Sequence, residues 1–433
     1  MIAARRRSTV GVDTTVPALL MKIGRYPIHH GGLGVVRTLG RLGVDVYAVT
    51  EDRLTPTACS RYLRSRFVWP TNGTEDASEI VAGLLEIGER IGRRAVLLVT
   101  DDEAAVLIAE HAGTLGRQFL LPAVEATLPR RLASKRGLGE LCRQYGVSAP
   151  AFGLPRSFPE LVEIAGSIGF PLILKNDEAW KRLANPAVPS TTIVRDLPEL
   201  EQLAAGWHSM PSVIVQEYIP RTAAEDWIVH LHAGGDAGTV LAFTGVKLRS
   251  WPAHVGATAV AYTASNPDLA AMAVAFSAAI GFRGVGDMDW RLDPRDGQYK
   301  LLDFNPRVGA QFRMFETRDG VDVVRALHLE LTGREVPVAG QIDGRRFVAE
   351  HYAVAAAPYY RSDGGAQARR WRVRGAGVER AWLAADDPLP ALVTAIRVAR
   401  PTLRGRAQAL IRRDRADAGE VVGGDPVAAG AGR

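Results

Sequence analysis

Cysteine and lysine are both scarce in this sequence, and each scarcity excludes something. Cys59 and Cys142 are the only cysteines in 433 residues, far apart and outside any C-x-x-C or Cys/His spacing. That excludes a disulfide-stapled secreted scaffold, argues against a zinc site and fits a reduced compartment. No stretch reaches the roughly eighteen uncharged apolar residues that a membrane span needs. The apolar patch Val16 to Met21 is too short for a signal sequence and ends at Lys22, so cytoplasmic residence is the default expectation. The glycine-rich run His30 to Gly34 lacks a G-x-G-x-x-G spacing, and no acid closes the second strand, which argues against nicotinamide or flavin binding. There is no G-x-S-x-G elbow and no Cys/His pair to supply a nucleophile.

What is present is ordinary globular composition, 47% hydrophobic and 23% charged, at a length that allows two or three domains. Most of the net charge of +6 sits at the ends, in Arg5 to Arg7 and in residues 404–433, where six arginines face four acids. The middle is near neutral, and no nucleic-acid partner is expected. Of 53 basic residues only six are lysine: Lys22, Lys135, Lys175, Lys181, Lys247 and Lys300. In so arginine-biased a chain, a retained lysine marks a place where a planar fork cannot replace a compact point charge, as beside a crowded phosphate. Lys22 and Lys300 read instead as scattered surface residues.

Residues 1–15 read as a disordered leader. From residue 16 to 128, strands at Val16 to Ile23, Val44 to Thr50, Phe67 to Trp69 and Ala95 to Thr100 alternate with helices at Val35 to Leu42, Ala77 to Ile91 and Glu103 to His111. His30 to Gly34 forms a glycine turn between the first strand and helix. This alternation predicts a small Rossmann-like parallel α/β domain. From 129 to 335 the pattern is α+β: Ser134 caps a helix from Lys135 to Tyr145, helices follow at Phe158 to Ile168, Leu197 to Trp207 and Pro267 to Ile280, and strands lie between. Residues 336–403 form a C-terminal accessory segment with an arginine-rich loop, Arg369 to Arg374, and a helix near Pro388 to Ile396. Residues 404–433 read as a disordered tail.

The sharpest local signal is the acidic hairpin Gly286 to Arg307. Asp293-Pro294-Arg295-Asp296-Gly297 predicts a five-residue loop. Counting back from a Leu292–Gln298 pair sets Asp287 opposite Asp303 and Asp289 opposite Leu301, with Asp287, Asp289, Asp303 and Asn305 on one face. Leu302 and Phe304 on the other face pack on a core. Carboxylates about 4 Å apart repel by about 1 kcal/mol in water and about 4 kcal/mol at an effective dielectric near 20, so a fixed acidic face calls for a cation. Carboxylate and amide oxygens are hard ligands suited to Mg²⁺, which completes its shell with phosphate oxygens. Lys135, Lys175, Lys181, Lys247 and Arg307 supply matching positive charge for a nucleoside triphosphate. Val213 to Pro220 reads as an apolar strand ending in a polar turn able to meet an adenine edge.

On this order of motifs the chain resembles the ATP-grasp superfamily of carboxylate–amine ligases. The markers are a preceding α/β domain, a lysine opening a helix, Leu174-Lys175 closing a strand, Gln216-Glu217-Tyr218-Ile219-Pro220, and Asp303-Phe304-Asn305-Pro306-Arg307 after an acidic strand. With His29 to Gly34 followed by Arg37 to Gly40, it is similar to the bacterial branch that includes D-aspartate ligases. The resemblance implies an ATP-grasp fold over 129–335 with a lid subdomain at about 150–215. It implies ATP phosphates on Lys135, Lys175 and Lys181, adenine against Glu217, Tyr218 and Ile219, and ribose at Glu225 or Asp226. Asp289, Asp303 and Asn305 would hold Mg²⁺, with Asp287 left open as an alternative to Asp289. Arg307 would act on the transferring phosphoryl group, and Lys247 and Arg249 on the same phosphate or the substrate carboxylate. Arg249, His254 and Arg313 are candidates for the acceptor pocket. Asp303 stands where the family's metal pair usually carries Glu, and residues 176–190 contain no glycine, so Trp180, Lys181 and Arg182 would cover the phosphates. The implied partners are ATP and small carboxylate and amine substrates, with a homodimer left open. A phosphotransferase and a non-catalytic nucleotide-binding protein are the rival readings.

Overall fold

The computed structural model describes residues 11–399 except 25, 178–185, 189–190, 221–224, 236–237, 239, 254–255 and 361–376. The predicted tail, the Arg369 to Arg374 loop, His254 and the Trp180 to Arg182 stretch lie outside the described residues, as does the leader up to residue 10. Gly11 to Thr15 do not form a free leader, because Asp13 accepts from Arg334 at 3.0 Å and ties them to the body.

Five parallel strands form the first sheet, in the order β3-β2-β1-β4-β5: β1 (Ala18–Met21), β2 (Val46–Thr50), β3 (Leu63–Val68), β4 (Ala95–Val99) and β5 (Phe119–Leu120). Helices α1 (His30–Gly40), α2 (Ala77–Ile91), α3 (Asp102–Glu110) and α4 (Ala112–Leu115) accompany it. The expected glycine turn is in fact the first turns of α1. A Cβ on Gly31 would lie 3.1 Å from the Cα of Ala310, and one on Gly34 2.9 Å from Phe312 Cε1. These glycines cost helix stability but let α1 press against the later domain.

The chain continues through α5 (Leu128–Ala133) and α6 (Lys135–Gln144), where the Ser134 side chain accepts from the Gly137 amide at 3.2 Å. A four-stranded antiparallel sheet follows, ordered β6-β9-β7-β8: β6 (Phe152–Gly153), β7 (Leu172–Asn176), β8 (Thr192–Val194) and β9 (Val213–Glu217). Helices α7 (Phe158–Ile168) and α8 (Leu197–Ala204) cover it, packing Leu161, Leu172, Leu174, Leu200 and Val215 into a core of their own.

The third sheet has seven strands, ordered β14-β13-β10-β11-β12-β15-β16: β10 (Glu225–Ala233), β11 (Val240–Trp251), β12 (Ala257–Thr263), β13 (Gly284–Asp293), β14 (Gln298–Asn305), β15 (Arg346–Val348) and β16 (Val378–Arg380). It is flanked by α9 (Pro267–Ala279), α10 (Val323–Leu331) and α11 (Glu350–Ala356). The segment from 336 is therefore not an appendage, since β15 pairs with β12 and β16 with β15. It also returns to the first domain. Arg37 and Asp387, each 1% exposed, meet at 2.9 Å, and the Arg37 guanidinium donates to the Trp382 and Asp387 carbonyls. Among the described residues no helix is long and apolar enough to cross a membrane.

Candidate active site

The hairpin register differs from simple counting. Asp293 pairs with Gln298, which leaves a four-residue loop, and an irregularity between Asp289 and Trp290 absorbs Leu302 as an extra residue. Beyond this bulge Asp289 faces Asp303 and Asp287 faces Asn305, so the four polar residues still share a face. Met288, Trp290, Leu301 and Phe304 fill the core behind them. Leu302 leaves that core: the bulge turns it to a small pocket beside Lys175 and Tyr218.

The polar face opens on a cavity of about 590 Å³ at the carboxyl ends of the parallel strands, where open α/β sheets place their ligands. Lys135 from the start of α6, Lys175 from the end of β7, Lys247 from β11, Arg307, Asp287, Asp289, Asp303 and Asn305 all line it. Lys175 and Thr191 continue into an adjoining pocket of about 130 Å³ whose wall includes Gln216, Glu217, Tyr218, Ile219 and Arg291.

Each charge in the cavity has a partner. Lys135 Nζ donates to Asp303 Oδ1 at 2.5 Å and Lys247 Nζ to Asp289 Oδ1 at 2.7 Å. Arg307 Nη1 donates to Asp287 Oδ2 at 2.7 Å, and its Nε lies 3.4 Å from Asp102 Oδ1. Behind Asp287, buried His230 brings Nε2 within 3.1 Å of Oδ1. A side chain at Gly309 would collide with both residues, its Cβ falling 2.2 Å from His230 Cε1. Burial works against the Asp287 charge, yet His230 and Arg307 hold the carboxyl well below its usual range. Burial also opposes the charge on Asp303, but Lys135 and then Lys175 bring it below normal. Asp289 is the exception: burial raises it, and Lys247 compensates only in part against Asp287 and Asp303. Burial pushes the Lys175 amine down to about 8, with Lys135 adding to the effect.

Several predicted site residues are engaged by other partners or stand apart from the cavities. Glu217 lines the small pocket, but its carboxylate is held by the Ala151 amide at 3.1 Å and by Arg295. Ile219 offers its carbonyl to Arg291 at 3.2 Å. Asp226 is paired with Arg291 at 2.6 Å, and neither it nor Glu225 lines either cavity. Arg249 falls at an irregularity in β11 and sits over the Tyr360 ring at 5.6 Å, away from the cavity. Arg313 is spent on Glu379 at 2.5 Å, tying the segment after β14 to β16. Lys181 lies outside the described residues.

Conversely, Lys22 and Lys300 are not surface lysines. Lys22 lines the cavity and pairs with Glu51, and Lys300, 8% exposed, is held 2.6 Å from Asp293 and 3.6 Å from Glu217. Sequence reasoning also missed Tyr26, His29, Asp101, Asp102, Glu103, Gln311 and Tyr352, all of which line the cavity, whereas His30, which lines it too, opens the glycine run that reads as a turn or a partial substrate wall. For Asp101 to Glu103 the signal was legible, since three acids directly follow an apolar parallel strand; nothing local marks Tyr352, which α11 brings from far along the chain.

The donor set suits a small hard cation. Asp289 and Asp303 are opposed in register, each side chain is about one-third open to the cavity, and Asp289 is short of positive charge. Asn305 spends its Nδ2 on the Asp287 carbonyl at 3.1 Å, which leaves its Oδ1 as a further oxygen ligand. Among the described residues no three His, Cys, Asp or Glu side chains converge tightly enough to enclose an ion. Mg²⁺ does not require that, because it takes few protein ligands and completes its shell with water and phosphate.

No family model matches the chain. Over 297 residues it is 25% identical to a D-aspartate ligase of Enterococcus faecium, a span of 64% of this chain and 68% of that protein. Among solved structures it is similar to the biotin carboxylase domain of Hydrogenobacter thermophilus 2-oxoglutarate carboxylase, solved with MgADP and bicarbonate (TM-score 0.55, 16% identity, 75% of this chain and 71% of that one). It is also similar to the L-amino acid ligase of Bacillus licheniformis (TM-score 0.55, 16% identity, 73% and 74%). With a parallel sheet before a four-stranded antiparallel sheet and a larger mixed sheet, and with these likenesses, the chain has the ATP-grasp fold.

Proposed function

We propose that this protein is an ATP- and Mg²⁺-dependent ligase that joins a small carboxylate to an amine through an acyl phosphate, releasing ADP and phosphate. One observation carries the reading: four lysines, Arg307 and the oxygen-rich face of the β13–β14 hairpin converge in one cavity, and Lys175 connects it to a smaller pocket at the end of β9. The likeness to a D-aspartate ligase and an L-amino acid ligase supports it.

In this reading the adenine lies in the small pocket between Ile173, Ile193, Leu302 and the Gln216 to Ile219 segment. Lys135 and Lys175 exchange their present partners for phosphate oxygens, and Asp289, Asp303 and Asn305 hold Mg²⁺. The ion supplies neutralisation of the phosphate charge when bound. Arg307, already charged and held by Asp287, meets the negative charge that develops as the substrate carboxylate takes the γ-phosphoryl group. Because Arg307 occupies it, Asp287 is an anchor for that arginine, and the metal position falls to Asp289. No nucleophilic side chain is needed. Such an enzyme works in the cytoplasm, where ATP is supplied and its two unpaired cysteines stay reduced.

The test is a panel of amino acids and other small acids and amines screened for ADP release with Mg²⁺-ATP, with hydroxylamine as a trap and mass spectrometry of the products. An acyl phosphate yields a hydroxamate. A stable phosphorylated product without hydroxamate, across acids that stimulate ADP release, would establish a phosphotransferase instead.

A further inference from the structure

The nucleotide and the metal leave unused the wall of the cavity that the first domain contributes, and a role for that wall rests on the ligase reading. Asp101, 8% exposed, spends Oδ2 on the Ile23 amide at 2.7 Å, while its buried Oδ1 has no hydrogen-bond partner among the described residues. Asp102 places Oδ1 3.4 Å from Arg307 Nε but out of hydrogen-bond alignment, so this oxygen also lacks a donor. His30, 5% exposed, lines the same cavity with neither ring nitrogen bonded.

Acids in the first turn of a helix are ordinarily explained by the helix dipole, and an aspartate before it by capping. Asp101 makes no capping bond at the start of α3. A buried oxygen without a donor is costly to keep, and two on residues that line one cavity call for donors that arrive with a ligand. An ammonium group brings three donors and the opposite charge. Arg307 sets the location, since the group that holds the phosphoryl during transfer touches Asp102.

We propose that Asp101 and Asp102 form the subsite for the amine substrate, and that Asp102 is the base that readies it for attack on the acyl phosphate. The ammonium N–H bond breaks and its proton passes to the Asp102 carboxylate. The freed lone pair forms the C–N bond. As the tetrahedral adduct collapses, the C–O bond to phosphate breaks, its electron pair leaves with phosphate, and the second proton departs with it. Asp102 returns the first proton to solvent. Burial raises the Asp102 carboxyl above its ordinary range despite Arg307, which makes it a stronger base in that position.

The experiment compares two nucleophiles on one acyl phosphate. Hydroxylamine is neutral at neutral pH and needs no base to free its lone pair, whereas alkyl amines arrive protonated. With the acid that stimulates ADP release, hydroxamate formation and amide formation are measured for the wild type, Asp102→Asn and Asp102→Glu. The amine is the one the panel pairs with that acid, with methylamine at high concentration beside it. Asp102→Asn is expected to lose amide formation by about 100-fold or more while hydroxamate formation stays nearly unchanged, and Asp102→Glu to recover part of the amide rate. Equal loss of both reactions would make Asp102 a positioning residue for Arg307 and overturn the base. So would an unaffected amide rate, or a wild type that makes hydroxamate but no amide with any amine. A wild type that makes no hydroxamate at all would instead overturn the ligase reading.

Discussion

Lys175→Met should stabilise the ligand-free protein and cripple its nucleotide binding. Burial brings the Lys175 amine from 10.5 to about 8, and one pKa unit corresponds to about 1.4 kcal/mol, so carrying this charge costs the folded chain about 3 kcal/mol. Methionine fills nearly the same space without the charge. Losing the bond from Nζ to Gln216 Oε1, 3.1 Å long, offsets about 1 kcal/mol, which leaves a net gain near 2 kcal/mol, a few degrees in melting temperature. The sign with pH is fixed by linkage. Below about pH 8 both folded and unfolded chains hold the proton and the full cost is present. Between about 8 and 10.5 only the unfolded chain holds it, so the wild type gains stability as pH rises and the gap to the variant closes. Nucleotide binding behaves oppositely. Phosphates bind the protonated amine, so above pH 8 wild-type binding must take up a proton and weaken by up to about tenfold per pH unit. Thermal melts at pH 7 and pH 9.5, with calorimetric titration of a non-hydrolysable ATP analogue at both, test the two halves. A variant less stable than wild type at pH 7, or wild-type binding that is equal at the two pH values, would refute the reasoning.

Asp387→Ala should cost about 3–5 kcal/mol in a thermal or urea melt, because it leaves Arg37 charged and buried without its carboxylate. A change under about 1 kcal/mol would mean that the pair does not hold the C-terminal segment to the first domain. Gly34→Ala should destabilise although alanine is the better helix former by about 1 kcal/mol, since the new Cβ falls 2.9 Å from the Phe312 ring; a melt showing stabilisation would say that the ring yields. Asp303→Asn should abolish ADP release at every Mg²⁺ concentration, and it should also lower stability at pH 7 by stranding Lys135. Because the folded-state carboxyl is held below its normal range, that stability difference should disappear as pH falls below about 4, and near-normal activity across Mg²⁺ concentrations would reject the metal role.

Much of the fold was legible because its signals are local. The helices Ala77 to Ile91 and Phe158 to Ile168 begin and end where the apolar period and the Gly and Pro stops put them. The acidic face of the hairpin was also legible, although its register was not. Counting assumes an unbroken ladder, and no composition signal announces that Leu302 is the extra residue. The glycine run after β1 misled for a related reason. Glycine in sequence reads as a turn, and only the packed neighbours Ala310 and Phe312, almost 280 residues away, reveal that a helix must come close there. Arg249 and Arg313 stood as candidates for the acceptor pocket, but partners from distant strands and loops, Tyr360 and Glu379, claim them. Long-range pairing of this kind leaves no trace in one sequence.

The lysines were the most informative residues, and their value extends beyond what composition alone licensed. All five lysines among the described residues surround the two cavities: Lys22, Lys135, Lys175 and Lys247 line the larger one, and Lys300 braces Glu217 beside the smaller. Each approaches a carboxylate or amide oxygen with a single nitrogen, in space shared with other charged groups, where a guanidinium would bring a wide fork and five donors in fixed directions. This predicts an asymmetry in exchange. Lys247→Arg preserves charge, yet it should displace Asp289 and cut ADP release by about 100-fold, the scale of one misplaced electrostatic group at a phosphoryl-transfer site. Arg64→Lys, at a side chain 67% exposed and 3.9 Å from Asp45, should leave both turnover and melting temperature unchanged. Turnover retained in Lys247→Arg would show that charge alone is required there, and the scarcity of lysine would then carry no information about the site.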